Sequence, residues 1–151
     1  MVKNVFKKLG KKQKNNKGFS LVELIVVIAI MAVLVGVLAP QLIKYVEKSR
    51  EATDIQTCDN IATALKTYYA DEEASATATT VTVTLGKTEL GTVADTAVKD
   101  AGLTKAKIKG TKWTGDKITI VYNKADGTIT YTGDSPYYHS DKDQFKKGSK
   151  S

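Results

Sequence analysis

The distribution of apolar residues divides the chain into a first third with one uninterrupted apolar run and a remainder in which apolar and polar positions alternate. No charged residue occurs from position 24 to position 43, a stretch of 20 residues. In an α-helix this length spans about 30 Å, the thickness of the hydrocarbon core of a bilayer. Such a helix is apolar on every side, as is typical of a helix surrounded by lipid or by other helices. The sequence therefore predicts a membrane-spanning helix near the N-terminus.

The helix is predicted to continue beyond this run with only one apolar face. After Tyr45, apolar residues recur every three to four positions until about Asp71, which is the pattern of an amphipathic helix. Gly36 and Pro40 interrupt the helix. Because proline removes an intrahelical hydrogen bond and clashes with the carbonyl four residues earlier, a kink or local unwinding is expected there. The predicted buried face consists of Ile55, Cys58, Ile61, Ala62, Leu65, Tyr68 and Tyr69.

The second half of the chain has the patterns of short strands and one short helix. Thr92 and Asp95 resemble a capping box that starts a helix, which Gly102 closes. Residues 123–127, NKADG, predict the turn of a hairpin. Trp113 is expected to anchor the sheet against the long helix. The predicted strands are 80–85, 105–111, 117–122 and 128–132.

The positive charge of the chain is concentrated at its N-terminus. Residues 1–18 contain seven of the 23 basic residues and none of the 16 acids, so the rest of the chain carries 16 of each sign. This bias places the N-terminus of a membrane helix in the cytoplasm and the remainder outside. The net charge of +7 therefore indicates topology, not a nucleic-acid-binding surface. A secretory signal peptide is the rival interpretation of residues 1–40, which the long apolar run and its early carboxylate disfavour.

That early carboxylate is Glu23, at the edge of the apolar run. Burying it there costs on the order of 2.5 to 3.5 kcal/mol on insertion scales, which implies a partner for the charge. The alternative is that Glu23 reaches the interface as an ordinary charge at the end of a helix.

The order of a basic leader, GFSLVE at residues 18–23 and a long apolar helix resembles the N-terminal motif of type IV prepilins and pseudopilins. The resemblance implies that a membrane aspartyl peptidase cuts between Gly18 and Phe19 and that the new N-terminal Phe19 is methylated. It also implies that Glu23 acts in filament assembly. The α-amine created on Phe19 is then the natural partner for the Glu23 carboxylate of a neighbouring subunit.

The resemblance and the patterns together predict an α+β, pilin-like fold, in which a long helix kinked near Pro40 packs on a small antiparallel sheet. With 151 residues, the chain has room for one domain beyond the helix. We assign residues 1–18 to a leader peptide and 19–47 to the half of the helix that lies in the membrane or the filament core. Residues 48–133 form the globular head, including the amphipathic half of the helix, and 134–151 form a polar surface tail.

The implied function is that of a structural subunit of a type IV pilus. Its implied partners are other copies of itself, the prepilin peptidase, the assembly platform with its ATPase and the cytoplasmic membrane. The precursor is expected to cross that membrane once, before the subunit enters an extracellular pilus. Adhesion, motility and biofilm formation stay open. The alternatives are a pseudopilin of a type II secretion or competence system and a membrane-anchored binding domain that never polymerises.

Neither catalysis nor cofactor binding is expected. The chain has a single histidine, His139. Its sequence contains neither a Gly-rich phosphate loop after a strand nor a serine in a nucleophile elbow. The single cysteine, Cys58, excludes an intrachain disulfide and is interpreted as a small buried hydrophobe.

No metal site is predicted, and nucleic acid is not an expected partner. The pair Asn123 and Asp126 in the 123–127 turn lacks the ligand spacing of a calcium loop. Calcium bound by Asp141 and Asp143 stays open, although two acids beside a lysine are more often solvated. Lys105, Lys107, Lys109 and Lys112 are the nearest approach to a DNA-binding patch, and protection of a strand edge is the favoured interpretation.

Overall fold

The computed structural model describes residues 18–71, 79–91, 94–141 and 144–147. The chain divides into two compact units, Met1–Gln41 and Leu42–Ser151. The described part of the first unit contains the beginning of helix α1, and the second contains the rest of α1 and every other element. These elements are α1 (Leu21–Asp71), β1 (Thr80–Leu85), α2 (Thr96–Asp100), a 3-10 turn (Thr114–Asp116), β2 (Ile118–Asn123), β3 (Ile129–Thr132), β4 (Tyr138–Asp141) and β5 (Gln144–Lys147).

Helix α1 contains 51 residues and is helical throughout, including at Gly36 and Pro40. The local unwinding expected at this position is therefore not seen, and a kink there stays a prediction. The amphipathic continuation is confirmed, because Cys58, Ile61 and Leu65 are completely buried.

Strands β1, β2 and β3 form an antiparallel sheet in that order. In the middle row of this sheet Ile120 pairs with Val83 on one side and with Tyr131 on the other. Gly127 closes the β2–β3 turn with a φ of 69°, which favours glycine. The strands predicted at 80–85, 117–122 and 128–132 are thus confirmed, as is the fold class of a long N-terminal helix on a small antiparallel sheet.

The core of the second unit joins the amphipathic face of α1 to the inner face of the sheet. Trp113 is 3% exposed and belongs to this core, as the sequence predicts. Ile118 and Ile120 are fully buried beside it, and Tyr131 packs against the cluster. Burial of such side chains contributes on the order of 1.5 to 3 kcal/mol each.

The strand predicted over 105–111 is wrong. Only isolated backbone bonds involve this segment, such as those from Ile108 N to Gly86 O (2.9 Å) and from Leu90 N to Ala106 O (3.2 Å). The amides of Lys109, Gly110 and Thr111 instead donate to side-chain carboxylates of α1. Because these backbone N–H groups donate to side chains, they are not available for the hydrogen bonds of a β-ladder. The alternating pattern of the segment nevertheless resembles that of a strand.

Helix α2 begins later than predicted. Its N-cap is Asp95, whose Oδ1 accepts the Ala97 N–H at 3.0 Å. Asp95 also accepts the Tyr69 hydroxyl of α1, at 3.0 Å to Oδ2. Thr92 lies outside the described residues, so the predicted capping box is not tested. Gly102, with a φ of 72°, ends the helix as predicted.

The C-terminal segment, predicted as a surface tail without structure, contains strands β4 and β5. They pair antiparallel, with Tyr138 opposite Lys147. Their sequences, YHSD and QFKK, lack an apolar alternation, which is why the pattern gives no signal. The segment is also anchored at the beginning of this hairpin. Ser135, before β4, is buried, and the ring of Tyr138, the first residue of β4, stacks on Trp113 with 6.3 Å between centroids.

Three carboxylates on one face of α1, Glu47, Glu51 and Asp54, are buried and are called the carboxylate row below. Their spacing of four and then three residues places them along one side of the helix. Asp54 accepts the N–H groups of Lys109 and Gly110, both at 2.7 Å, and Glu47 accepts the N–H of Thr111. The row therefore fixes the 109–111 segment on the helix.

Gly110 is the point of closest approach between this segment and the carboxylate row. A Cβ at Gly110 would lie 2.8 Å from Glu51 Cγ and 2.9 Å from Asp54 Oδ2. We therefore expect Gly110→Ala to lower the free energy of unfolding by about 1–3 kcal/mol, through overpacking. Urea unfolding of the full chain in detergent, followed by the fluorescence of Trp113, measures the loss. Gly86→Ala is the control, because a Cβ there meets nothing within 4 Å. Equal effects of the two variants would contradict the close approach.

Candidate functional site

Gly18, the residue before the predicted cleavage point, is the first residue that the structure describes. Gly18, Phe19 and Ser20 are exposed and precede the first helical residue, Leu21. Phe19 is 89% exposed. The peptide bond between Gly18 and Phe19 therefore lies in accessible, non-helical backbone, which is where proteolytic cleavage concentrates.

Ser20 and Glu23 form a reciprocal capping box at the start of α1. The Ser20 N–H donates to Glu23 Oε2 at 2.8 Å, and the Glu23 N–H donates to Ser20 Oγ at 3.2 Å. Each side chain thus satisfies a backbone donor that the first turn leaves open. A carboxylate in this turn also interacts favourably with the helix dipole. Glu23 consequently has a partner within its own chain.

Ser20 followed three residues later by Glu23 is the sequence signature of this box. The predictions for Glu23 cover the assembly role implied by the resemblance and a charge at the interface, but not the box. The structure brings Phe19, Ser20 and Glu23 into adjacent positions at the beginning of α1. The assembly role and the methylation of Phe19 stay predictions.

The apolar run that follows has no protein partner among the described residues. Leu24 is 57% exposed and Leu38 is 60% exposed, and the apolar side chains between them are similarly uncovered. The helix is long and apolar enough to cross a membrane by length and composition. Because exposing an apolar surface of this size to water is unfavourable, lipid or other helices must cover it.

The candidate calcium residues give no site in the described part of the chain. Asn123 Oδ1 accepts the Ala125 N–H at 3.0 Å, and Asp126 Oδ1 accepts the Thr128 N–H at 2.9 Å, which is the predicted turn chemistry. The hydrogen bonds from the N–H and the hydroxyl of Thr128 lower the pKa of the Asp126 carboxyl. Asp143 and the side chain of Asp141 lie outside the described residues. The described residues contain no group of three or more His, Cys, Asp or Glu side chains placed to hold a metal.

The other reactive groups have ordinary structural surroundings. The Nδ1 atom of His139 lies 3.8 Å from Asp134 Oδ1, and both side chains are exposed. Burial raises the pKa of the Cys58 thiol, and the charges of Asp54 and Asp59 raise it further. A thiol with these surroundings is unreactive. The lysines at 105–112 do not protect a strand edge, because this segment is not a strand. The Nζ atom of Lys107 lies 3.8 Å from Glu89 Oε1.

Comparison with known proteins supports the N-terminal motif. Residues 13–39 match the family model described as the prokaryotic N-terminal methylation motif. Over 78 residues the chain is 38% identical to "Prepilin peptidase-dependent protein A" of Clostridium perfringens (strain 13 / Type A), which is 50% of this chain and 55% of that protein. The chain thus spans about half the length of this curated relative. No solved structure matches. The chain therefore carries the N-terminal cleavage and methylation motif of type IV prepilins and pseudopilins, as its sequence predicts.

Proposed function

We propose that the chain is a structural subunit of a type IV pilus. The observation that carries the proposal is the prepilin-type motif of residues 13–39, placed directly on a helix whose apolar side chains are uncovered. Such a helix needs other helices or lipid around it. A filament subunit uses both environments in turn, the membrane before assembly and the bundle of helices afterwards.

The precursor crosses the cytoplasmic membrane once, with its seven leader lysines on the cytoplasmic side. A prepilin peptidase then cuts between Gly18 and Phe19, and Phe19 is methylated. The assembly platform and its ATPase move the mature subunit from the membrane to the cell surface. Because residues 24–43 carry no charge, the filament core is held mainly by burial of the apolar helices.

Glu23 supplies the specific contact in this assembly. Cleavage creates an ammonium group on Phe19, and in an apolar bundle this group needs a carboxylate from a neighbouring subunit. In the capping box, Oε2 of Glu23 accepts the Ser20 N–H. A carboxylate has about four acceptor sites, so Glu23 can accept the neighbour's ammonium while the box stays closed. The box then fixes the direction in which the carboxylate is presented.

Substitution of Gly18 tests the proposed processing. We expect Gly18→Val to abolish cleavage when the chain is co-expressed with a prepilin peptidase, because a branched side chain blocks close approach of the catalytic groups to the backbone. Intact mass spectrometry measures the loss of the 18 leader residues. Gly10→Val is the control, since it makes the same change within the leader and leaves the motif intact. Cleavage of the Gly18→Val chain at the unchanged position would contradict the proposal.

A further inference from the structure

Glu51, the middle member of the carboxylate row, has fewer hydrogen-bond donors than its neighbours. Its side chain is completely buried. Its Oε2 accepts the hydroxyl of Ser135 at 2.6 Å. Its Oε1 has no hydrogen-bond partner among the described residues. A buried carboxylate in such surroundings is costly, because one neutral donor replaces the water that an ionised carboxylate binds.

The other two members of the row have the donors that an ionised carboxylate needs. Asp54 accepts three N–H groups, those of Lys109, Gly110 and the Trp113 indole, at 2.7, 2.7 and 2.8 Å. Glu47 accepts the N–H of Thr111 and lies 4.0 Å from Arg50. Glu51 therefore stands between two charges of the sign that it would itself acquire. These two charges favour the neutral form of the Glu51 carboxyl.

Ser135, the partner of Glu51, organises the chain before β4. Its Oγ accepts the N–H groups of Tyr137 and Tyr138, at 3.1 and 3.0 Å, while its own N–H donates to Tyr138 O at 2.7 Å. Tyr138 is the first residue of β4 and stacks on Trp113. The Glu51–Ser135 contact is thus a buried side-chain link between α1 and the segment that leads into the C-terminal hairpin.

We propose that the Glu51–Ser135 contact is a proton-dependent attachment of the C-terminal hairpin, β4 and β5, to helix α1. With a neutral Glu51 carboxyl the contact is satisfied and the hairpin is held. Ionisation adds a third negative charge to the buried row. Release of the 134–138 segment admits water to that charge at a lower free-energy cost than unfolding of the whole domain. The device would make the stability of the C-terminal face of the subunit depend on the pH outside the cell.

The charged groups on the elements around Glu51 support this direction. On α1 the row supplies two carboxylates, Lys48 is half-buried three residues before Glu51, and the Arg50 side chain is half exposed beside Glu47. On the 109–113 segment Lys109 and Lys112 are exposed. On the C-terminal segment Asp134 and His139 are exposed and lie 3.8 Å apart. None of these cations is buried with Glu51, so solvent screens their charges.

The sign of the pH dependence follows from the folded state. Desolvation by burial raises the pKa of the Glu51 carboxyl, and the charges of Glu47 and Asp54 raise it further, against the Ser135 hydrogen bond, which lowers it. A carboxyl with a raised folded-state pKa stabilises the fold fully below its unfolded pKa of about 4.3. This contribution is lost as the pH rises through the folded-state value.

The test compares Glu51→Gln, which mimics the neutral acid, with the unaltered full chain in detergent micelles. We expect the Tm of the variant minus that of the unaltered chain to increase by at least about 4 °C between pH 5 and pH 8. At pH 8, hydrogen exchange of the backbone amides of residues 134–141 is expected to be slower in the variant. Glu89→Gln, at an exposed position, is the control and should show neither effect. A Tm difference that does not change with pH, or unchanged exchange in that segment, overturns the proposal.

Ser135→Ala gives a second test that does not depend on a correctly folded Glu51→Gln chain. Removing the hydroxyl removes the one bond that favours the ionised carboxylate. The folded-state pKa of Glu51 is therefore raised further, and the loss of stability with rising pH is expected to continue to a higher pH, and to be larger in total, in this variant than in the unaltered chain. A loss that ends at the same pH and has the same size in both chains overturns the proposal.

Discussion

Asp54→Ala is expected to lower the free energy of unfolding by about 3–5 kcal/mol, which is a large part of the stability of a domain of this size. The carboxylate accepts N–H groups from Lys109, Gly110 and Trp113 while being 1% exposed. Its removal takes the acceptor from two buried donors, the Gly110 N–H and the Trp113 indole, and from the partly buried Lys109 N–H. Each buried donor costs on the order of 1–3 kcal/mol before relaxation. Trp113 is the single tryptophan, so its fluorescence during urea unfolding reports this site directly.

Asp59→Ala is the matched control for this measurement. Asp59 is on the same helix and also accepts a side-chain hydrogen bond, from the Tyr131 hydroxyl at 3.0 Å, but it is exposed. A net loss of about 0.5–1.5 kcal/mol is expected, because water replaces the lost partner. Similar losses for the two variants would show that the carboxylate row does not hold the 109–113 segment in place.

Glu23→Ala is expected to abolish surface filaments while leaving cleavage after Gly18 intact. The alanine removes the carboxylate that we propose to receive the Phe19 ammonium of a neighbouring subunit, and that ammonium is then left without a partner in an apolar bundle. The quantity of the chain in the material sheared from cells, together with electron microscopy of that material, measures the effect. At least a tenfold decrease in the sheared fraction is expected, because a loss of about 1.4 kcal/mol in the free energy of assembly lowers its equilibrium constant tenfold.

Ser20→Ala separates assembly from helix capping. It breaks the same capping box, at a cost of about 0.5–2 kcal/mol of helix stability, but keeps the Glu23 carboxylate. Filaments are expected to persist in this variant. Equal loss of filaments in both variants would assign the role of Glu23 to the capping box, and normal filaments in both would remove Glu23 from assembly.

The sequence predicts those parts of the fold that hydrophobic pattern controls. The long helix, the strands 80–85, 118–123 and 129–132 and the buried positions of Cys58 and Trp113 follow from periodicity, because one apolar face must be covered. The glycine that ends α2 follows from backbone geometry, since Gly102 adopts a positive φ.

The sequence does not predict those parts in which polar side chains replace the usual backbone partners. Glu47, Glu51 and Asp54 look like the solvated side of an amphipathic helix. Nothing local indicates that Glu47 and Asp54 accept the amides of a segment 55 or more residues away, or that Glu51 accepts the hydroxyl of Ser135. The 109–111 segment loses its predicted strand for the same reason. The hairpin of β4 and β5 escapes prediction because its two four-residue strands show no alternation of apolar and polar positions in sequence.

At the candidate site, the motif at residues 18–23 was sufficient to identify the type of processing, because its residues are specific and adjacent in sequence. The reciprocal bonds of Ser20 and Glu23 are also predictable from sequence, because Ser followed three residues later by Glu is the pattern of a capping box. Secretion and competence filaments carry the same kind of motif, so the motif by itself selects the route of processing rather than the system.

The most direct test of the proposed function is the intact mass and the N-terminal chemistry of the chain recovered from sheared cell-surface material. The account predicts a chain that begins at Phe19 and carries one additional methyl group on its N-terminus. A chain that still begins at Met1 and stays with the membrane fraction would contradict it, and would favour an anchored domain that never polymerises.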